Sequence, residues 1–297
     1  MPGHKFFNAG GLWFAGLLAL CPGFATAAPI NGDFALTPYK GGLIVRQQAE
    51  FERRRRDNES QRPGRAISTL IYGLTERLAL QATLPYAWNA TTTTVLRTDG
   101  LRRERERDSA FGDGLLAVKY QFLAYNQSGA TLRWAAPVGG TAPSRERGFS
   151  DFSYSGFLGQ VLTYEALDYE LDLDLSVRTF GAYRGRRPGD RFQYNFAASH
   201  RIWPWIFPEE GAPAYLNLVL ELNGETRNTD EVRGTADEDT GGRVLFFAPG
   251  LQIIHNRFIL EASYQIPVAQ RWNGNDSNRR AQFTIEERIR GGIRVVF

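Results

Sequence analysis

The sequence predicts an all-β fold, a transmembrane antiparallel up-and-down β-barrel of about 12 strands with long extracellular loops and short periplasmic turns. Three observations carry this. First, the chain ends in an alternating run in which Phe283, Ile285, Glu287, Ile289, Gly291, Ile293, Val295 and Phe297 interleave with Thr284, Glu286, Arg288, Arg290, Gly292, Arg294 and Val296. One face is largely apolar, the other charged, and the run stops on an aromatic, as in a strand between lipid and a polar lumen. Second, Lys5 and His4 precede an apolar stretch from Gly10 to Phe24, followed by Ala25-Thr26-Ala27, a small-x-small cleavage site. Third, no later window approaches the run of about 18 apolar residues that marks a helical span.

Residues 1–27 thus read as a secretory signal peptide, since the apolar core is shorter than the roughly 20 residues a spanning helix needs. Cys21 is the only cysteine, and the bulky Leu20 before it argues against a lipoprotein signal. Cleavage after Ala27 leaves no thiol, so stability must come from a closed hydrogen-bonded sheet. Residues 28–40 read as a short periplasmic segment, too short for a plug domain, and 41–297 as one barrel in the outer membrane of a Gram-negative bacterium.

Period-two patterning places strands at 43–52, 65–72, 78–88, 114–122, 130–138, 152–164, 171–179, 191–201, 214–224, 243–253, 257–268 and 283–297. The clearest has Leu171, Leu173, Leu175 and Val177 alternating with Asp172, Asp174, Ser176 and Arg178. A carboxylate facing hydrocarbon costs on the order of a few kcal/mol, so both aspartates should point inward. Alternate connections, 53–64, 89–113, 139–151, 180–190, 225–242 and 269–281, are long and charged, and the others are mostly short. That asymmetry assigns the first set to the outside and returns Phe297 to the periplasmic side, where the final strand meets the barrel-assembly machinery. The exception, 202–213, carries Trp203, Trp205 and Phe207 and reads as an interfacial aromatic belt.

Tyr72-Gly73-Leu74-Thr75-Glu76-Arg77-Leu78 with Leu84-Pro85-Tyr86 resembles a turn and strand of the putative MetA-pathway of phenol degradation family. Phe111-Gly112-Asp113-Gly114 leading to Lys119-Tyr120, Pro249-Gly250-Leu251-Gln252, and Arg257-Phe258 through Gln265-Ile266-Pro267-Val268 resemble its later segments. The resemblance implies a transporter-like outer-membrane barrel associated with aromatic or other small organic compounds, and it brings no catalytic residues with it.

Inward-facing candidates for selecting a permeant are Lys119, Arg133, Asp172, Asp174, Arg178, Glu221, Glu261, Glu286, Arg288, Arg290 and Arg294, which either line a narrow pore or pair off and fill it. Apart from Lys5, Lys40 and Lys119 the basic residues are arginines. Those in outer loops, Arg53, Arg54, Arg55, Arg56, Arg102, Arg103, Arg105 and Arg107, present planar forks suited to lipopolysaccharide phosphates or anionic solutes. The simpler account of them is a solvated loop of mixed charge, since Glu104, Glu106 and Asp108 interleave. The acidic Asp230, Glu231, Asp237, Glu238 and Asp239 offer loop-to-loop partners that would close the top of a structural barrel. Nucleic acid is excluded by location. No metal spacing, phosphate loop or nucleophile elbow is present, and no cofactor is expected. An outer-membrane hydrolase would need a His near the outer rim, but His200 and His255 fall at the periplasmic end. Ser199 and His200, adjacent in one strand, face opposite ways, so the chain reads as a non-enzyme. The function expected is passive passage of small solutes, possible alternatives being a structural or lipopolysaccharide-binding barrel or, less consistent with these residues, a lipid hydrolase.

Overall fold

The computed structural model describes residues 28–56, 59–97, 100–206, 214–274 and 282–297, and for 92–97 and 100–105 the backbone alone. The signal-peptide segment lies outside the described residues. Among them, twelve strands form the barrel: β1 (Leu43–Arg56), β2 (Gly64–Gly73), β3 (Leu78–Arg97), β4 (Gly114–Gln127), β5 (Ala130–Ala142), β6 (Ser155–Ala166), β7 (Tyr169–Phe180), β8 (Arg191–Trp203), β9 (Tyr215–Arg227), β10 (Gly242–His255), β11 (Phe258–Trp272) and β12 (Thr284–Val296). Each pairs antiparallel with its neighbours, and β1 pairs with β12 from Ile44 opposite Val296 to Arg55 opposite Thr284. Reciprocal bonds between Leu43 and Phe297, of 3.1 and 2.8 Å, finish the seam. Closure removes the open edges that no bilayer tolerates.

Alternation decides which face meets lipid. Leu171, Leu173 and Val177 are 37, 39 and 45% exposed, while Asp172 between them is 4% exposed. The same parity runs round the barrel, with Leu218, Leu220 and Leu222 outside and Val219 and Glu221 inside. Inner turns are short (74–77, 128–129, 167–168, 256–257). The long one follows Trp203, where Trp203 and Trp205 are exposed; Phe207 and Pro208 lie outside the described residues.

The outer connections differ from the sequence expectation in one respect. Within 89–113, expected as a loop, residues 89–97 and 100–111 are paired antiparallel strands projecting past the barrel. The upper half of β3 pairs with Gly100–Phe111, from Tyr86 opposite Phe111 to Arg97 opposite Gly100. The β-branched run Thr91 to Val95 favours an extended chain. Its two-sided polarity marks departure from hydrocarbon, not loss of the strand. Likewise β1 continues to Arg56 and pairs with a short strand, Glu59–Gln61. A small outer sheet joins Arg186–Arg187, Asp230–Val232 and Thr235–Asp237. Its tight turn at Arg233 and Gly234, φ 53° and 80°, has the two left-handed residues that match strand twist.

Candidate functional site

Residues 28–38 lie inside the barrel, where the sequence reading left 28–40 as a short periplasmic segment. A turn at the inner rim starts the path: Gly41 N–H donates to Gly73 O (2.8 Å), Gly73 N–H to Gly42 O (2.9 Å) and Gly42 N–H to Tyr39 O (2.8 Å). Gly41 holds φ 83°, which its missing side chain permits. Inside, Thr37 Oγ1 donates to Glu76 O (3.1 Å) and Ala35 N–H to Thr163 Oγ1 (2.9 Å). At mid-depth Asp33 N–H donates to Asp174 (3.2 Å) and Ile30 N–H to Glu221 Oε1 (2.7 Å), while Asn31 also bonds Glu221. Arg46 Nη2 donates to the carbonyls of Pro29 (3.0 Å) and Ile30 (2.7 Å), and Gln252 to that of Ala28 (2.5 Å). Apolar packing joins Ala28, Phe34 and Leu36 to Ile44, Ile71, Ala79 and Val296, and Ala35 to Ala135 and Val161, while Ile30 is fully buried. The segment has no strand or helix period, so only its complementarity to wall groups places it there.

The wall around the segment is electrically divided. On β1, β2, β11 and β12 arginines and glutamates interlock: Glu50 with Arg290 and with Arg65 (2.9 Å), Glu52 with Arg288 (2.6 Å), and Glu261 with Arg46 (2.8 Å) and Arg294 (3.0 Å). Across the lumen, β7 and β9 carry buried Glu170, Asp172, Asp174 and Glu221. Asp172, Asp174 and Glu221 accept hydrogen bonds from Thr163, Asn195 and the internal segment rather than from arginines, while Glu170 Oε1 is buried without a donor. Lys119, fully buried, lies between the walls and ion-pairs with Asp33 at 2.6 Å.

Of the inward candidates, Lys119, Asp172, Asp174, Glu221, Glu261, Arg288, Arg290 and Arg294 surround the segment, Arg133 pairs lower down with Glu165 at 2.6 Å, and Arg178 lies near the outer mouth. Glu286 does not face the lumen. Between Arg53 and Arg54 the register with β12 shifts, and the extra residue reverses the alternation above it. Glu286 therefore pairs with Arg53, whose neighbour Glu287 bonds the exposed Tyr264, while Ile285 turns inward onto Val244 and Phe246.

Arg53, Arg54, Arg55 and Arg56 belong to strand β1, not a loop, and Arg54 and Arg56 pair with Glu52 and Glu59. Arg102, Arg103, Arg105 and Arg107 run along the projecting strand Gly100–Phe111, where Arg107 is exposed. Sequence reasoning did not single out Asp33, Arg46, Glu50, Glu52 or Glu170, and it placed Arg65 with the outer-loop arginines, whereas Arg65 lies in strand β2 and pairs with Glu50. The alternation of Gln48, Glu50 and Glu52 with Ala49 and Phe51 was the available signal for two of these wall positions, Glu50 and Glu52. At the outer rim the acidic loop does meet basic partners, Arg186 with Asp230 (2.9 Å) and Arg187 with Glu231 (3.1 Å). His200 is exposed and Ser199 buried, on opposite faces of β8.

A closed sheet with an apolar outer belt and a charged, internally occupied lumen defines an outer-membrane β-barrel. The family model described as putative MetA-pathway of phenol degradation matches residues 63–278, and the chain belongs to that family. No curated protein matches it. Among solved structures it is similar to the COG4313 outer membrane channel from Pseudomonas putida F1, with 15% identity and a TM-score of 0.65 over 92% of this chain and 100% of that one. The β domain of the Bordetella autotransporter BrkA is less similar, with 13% identity and a TM-score of 0.48 over 87% of this chain and 100% of that one. The first likeness shows the shared barrel architecture.

Proposed function

We propose that the chain is a passive outer-membrane channel for small organic solutes whose lumen is closed by residues 28–38. The observation that carries this is how the segment is held. It meets the wall mostly through hydrogen bonds, each worth about 1 to 3 kcal/mol net, the larger values where a charged group takes part, because water can replace them. Its apolar contacts are two small clusters, around Phe34 and around Ala35, and the buried Ile30. A permanent filling would be expected to resemble a packed apolar core, whereas this one can be exchanged for water. The Pseudomonas neighbour is itself described as an outer membrane channel, and the reading extends that description here. Asp172, Asp174, Glu221 and Lys119 would meet a permeant once the segment moves, and the Arg–Glu ladder would form the opposite wall.

Planar-bilayer recordings test this. The purified full chain should give small, intermittent currents, and the chain lacking 28–38 should give larger, steadier ones. Absence of current from both would leave the second reading, a structural barrel, which the interlocked Arg–Glu pairs favour. No catalytic role is assigned. Lipopolysaccharide contact falls to exposed arginines of the outer extension, Arg55 and Arg107. The strand ending at Phe297 is the end that would engage the barrel-assembly machinery.

A further inference from the structure

The internal segment is held chiefly by its backbone, with opposite polarity on its two sides. On one side Arg46 Nη2 donates to the carbonyls of Pro29 (3.0 Å) and Ile30 (2.7 Å), and Gln48 to that of Ile30 (2.9 Å). Arg294 reaches the carbonyl of Pro29 at 3.3 Å and Arg290 that of Asn31 at 3.4 Å. On the other side the N–H groups of Ile30 and Asn31 both donate to Glu221 Oε1, at 2.7 and 3.1 Å, that of Asp33 donates to Asp174 and that of Ala35 to Thr163. Strands β1 and β12 thus face carbonyls, and β6, β7 and β9 face amides. Arg46, Arg290 and Arg294 are at the same time ion-paired with Glu261 and Glu50, so they offer N–H donors rather than spare charge.

An extended peptide points its C=O and N–H groups to opposite sides, and in a closed lumen both need partners. Donors along one wall and acceptors along the other suit such a backbone whatever its sequence. A sheet edge captures a strand on the same terms, main-chain bonds giving affinity and pockets choosing side chains. One such pocket is present. A Cβ at Gly250 of β10 would lie 2.6 Å from Ile30 Cδ1, so the glycine hollows the wall for the fully buried Ile30 side chain. An arene would leave both rows of backbone partners unmatched.

We propose that the lumen between Arg46 and Glu221 is a binding track for short extended peptides with small or aliphatic side chains, and that residues 28–38 are its resident occupant. A peptide entering the track takes over the bonds of the segment and displaces it. The proposal rests on the channel reading, because the displaced segment opens the path along which the peptide passes.

Trialanine and its isomer trisarcosine test it, since they share mass and terminal charges but trisarcosine has no amide N–H to give. With the full chain in liposomes, trialanine should enter several-fold faster by osmotic swelling. With the full chain in detergent, trialanine should saturably quicken protease cleavage within 28–42, at concentrations roughly tenfold below those trisarcosine needs. Glu221→Leu, which removes the acceptor of two N–H groups, should make the two entry rates nearly equal while the heat-modifiable gel shift is kept. The wild-type comparison stands without that variant. Equal entry and equal cleavage with the two isomers overturns the track and leaves the channel, as does a preference in entry with no effect on cleavage. A preference unchanged by Glu221→Leu also overturns it. Quickened cleavage specific to trialanine with no entry of either isomer supports the track and defeats the channel, and absence of both effects defeats both.

Discussion

The ammonium of Lys119 lies 2.6 Å from Asp33 Oδ1 and 2.9 Å from the carbonyl oxygen of Phe34. One wall cation therefore holds both a side chain and the backbone of the internal segment. Because Lys119 is fully buried, its charge is satisfied only while the segment is in place. Replacing it with methionine leaves Asp33 without its partner, a loss on the order of 3 kcal/mol for a buried pair. The Lys119→Met variant should open more often in bilayers, approaching the chain that lacks 28–38. Open probability equal to wild type would show that the ion pair does not hold the plug.

Gly73 sets the base of the same segment. A Cβ there would overlap the carbonyl oxygens of Tyr39 and Pro38, which are backbone and cannot swing aside. Gly73→Ala should push the chain off the inner rim and cost about 1–3 kcal/mol as overpacking. Protease added from the periplasmic side should then cut within 28–42 faster than in wild type, while the barrel keeps its heat-modifiable gel mobility. Unchanged cleavage would argue that the turn absorbs the added methyl.

Asp172 and Asp174 give one wall its sign. Changing both to asparagine keeps shape and hydrogen-bonding capacity but removes two negative charges from the lumen. In the chain lacking 28–38, where the wall is open to ions, reversal potentials in a salt gradient should move toward anion preference. A shift of zero, or toward cations, would mean that permeating ions do not pass this wall.

Asp230 ties the outer sheet together. Its burial pushes the carboxyl up, but hydrogen bonds from Arg186, the Gly189 N–H and Arg227, with the Arg227 charge, outweigh that and hold it below the ordinary aspartate value of 3.8. A depressed folded value means the contribution is complete above the unfolded value and is lost as pH falls from there through the folded one. Amide hydrogen exchange at 230–237 should therefore quicken below about pH 4, after correction for intrinsic rates. Asp230→Asn should show the faster exchange already at pH 7, with a local loss of about 2 kcal/mol. Equal protection in both proteins at pH 7 would refute this.

The strands were legible because each residue on them meets one of two solvents. Leu171 and Asp172 differ in environment by the full width of the sheet, and period-two patterning records that directly. Where both faces are wet, the signal vanishes: Thr91 to Val95 and the arginines after Leu101 read as loop although they form paired strands. Glu286 failed for another reason, since one extra residue in a register inverts parity without altering composition. The mutual pairing of Arg46 and Glu261 joins residues at opposite ends of the chain, and nothing local in either segment announces the other.

The amino-acid order alone settles that this chain crosses a membrane with strands, how many there are, and which end of each points outward, because lipid exposure and turn length are local properties written residue by residue. What occupies the interior is settled only by the closed barrel. Residues 28–38 carry no period, and their place follows from carboxylates and guanidiniums brought to one cavity from strands more than a hundred residues apart in sequence.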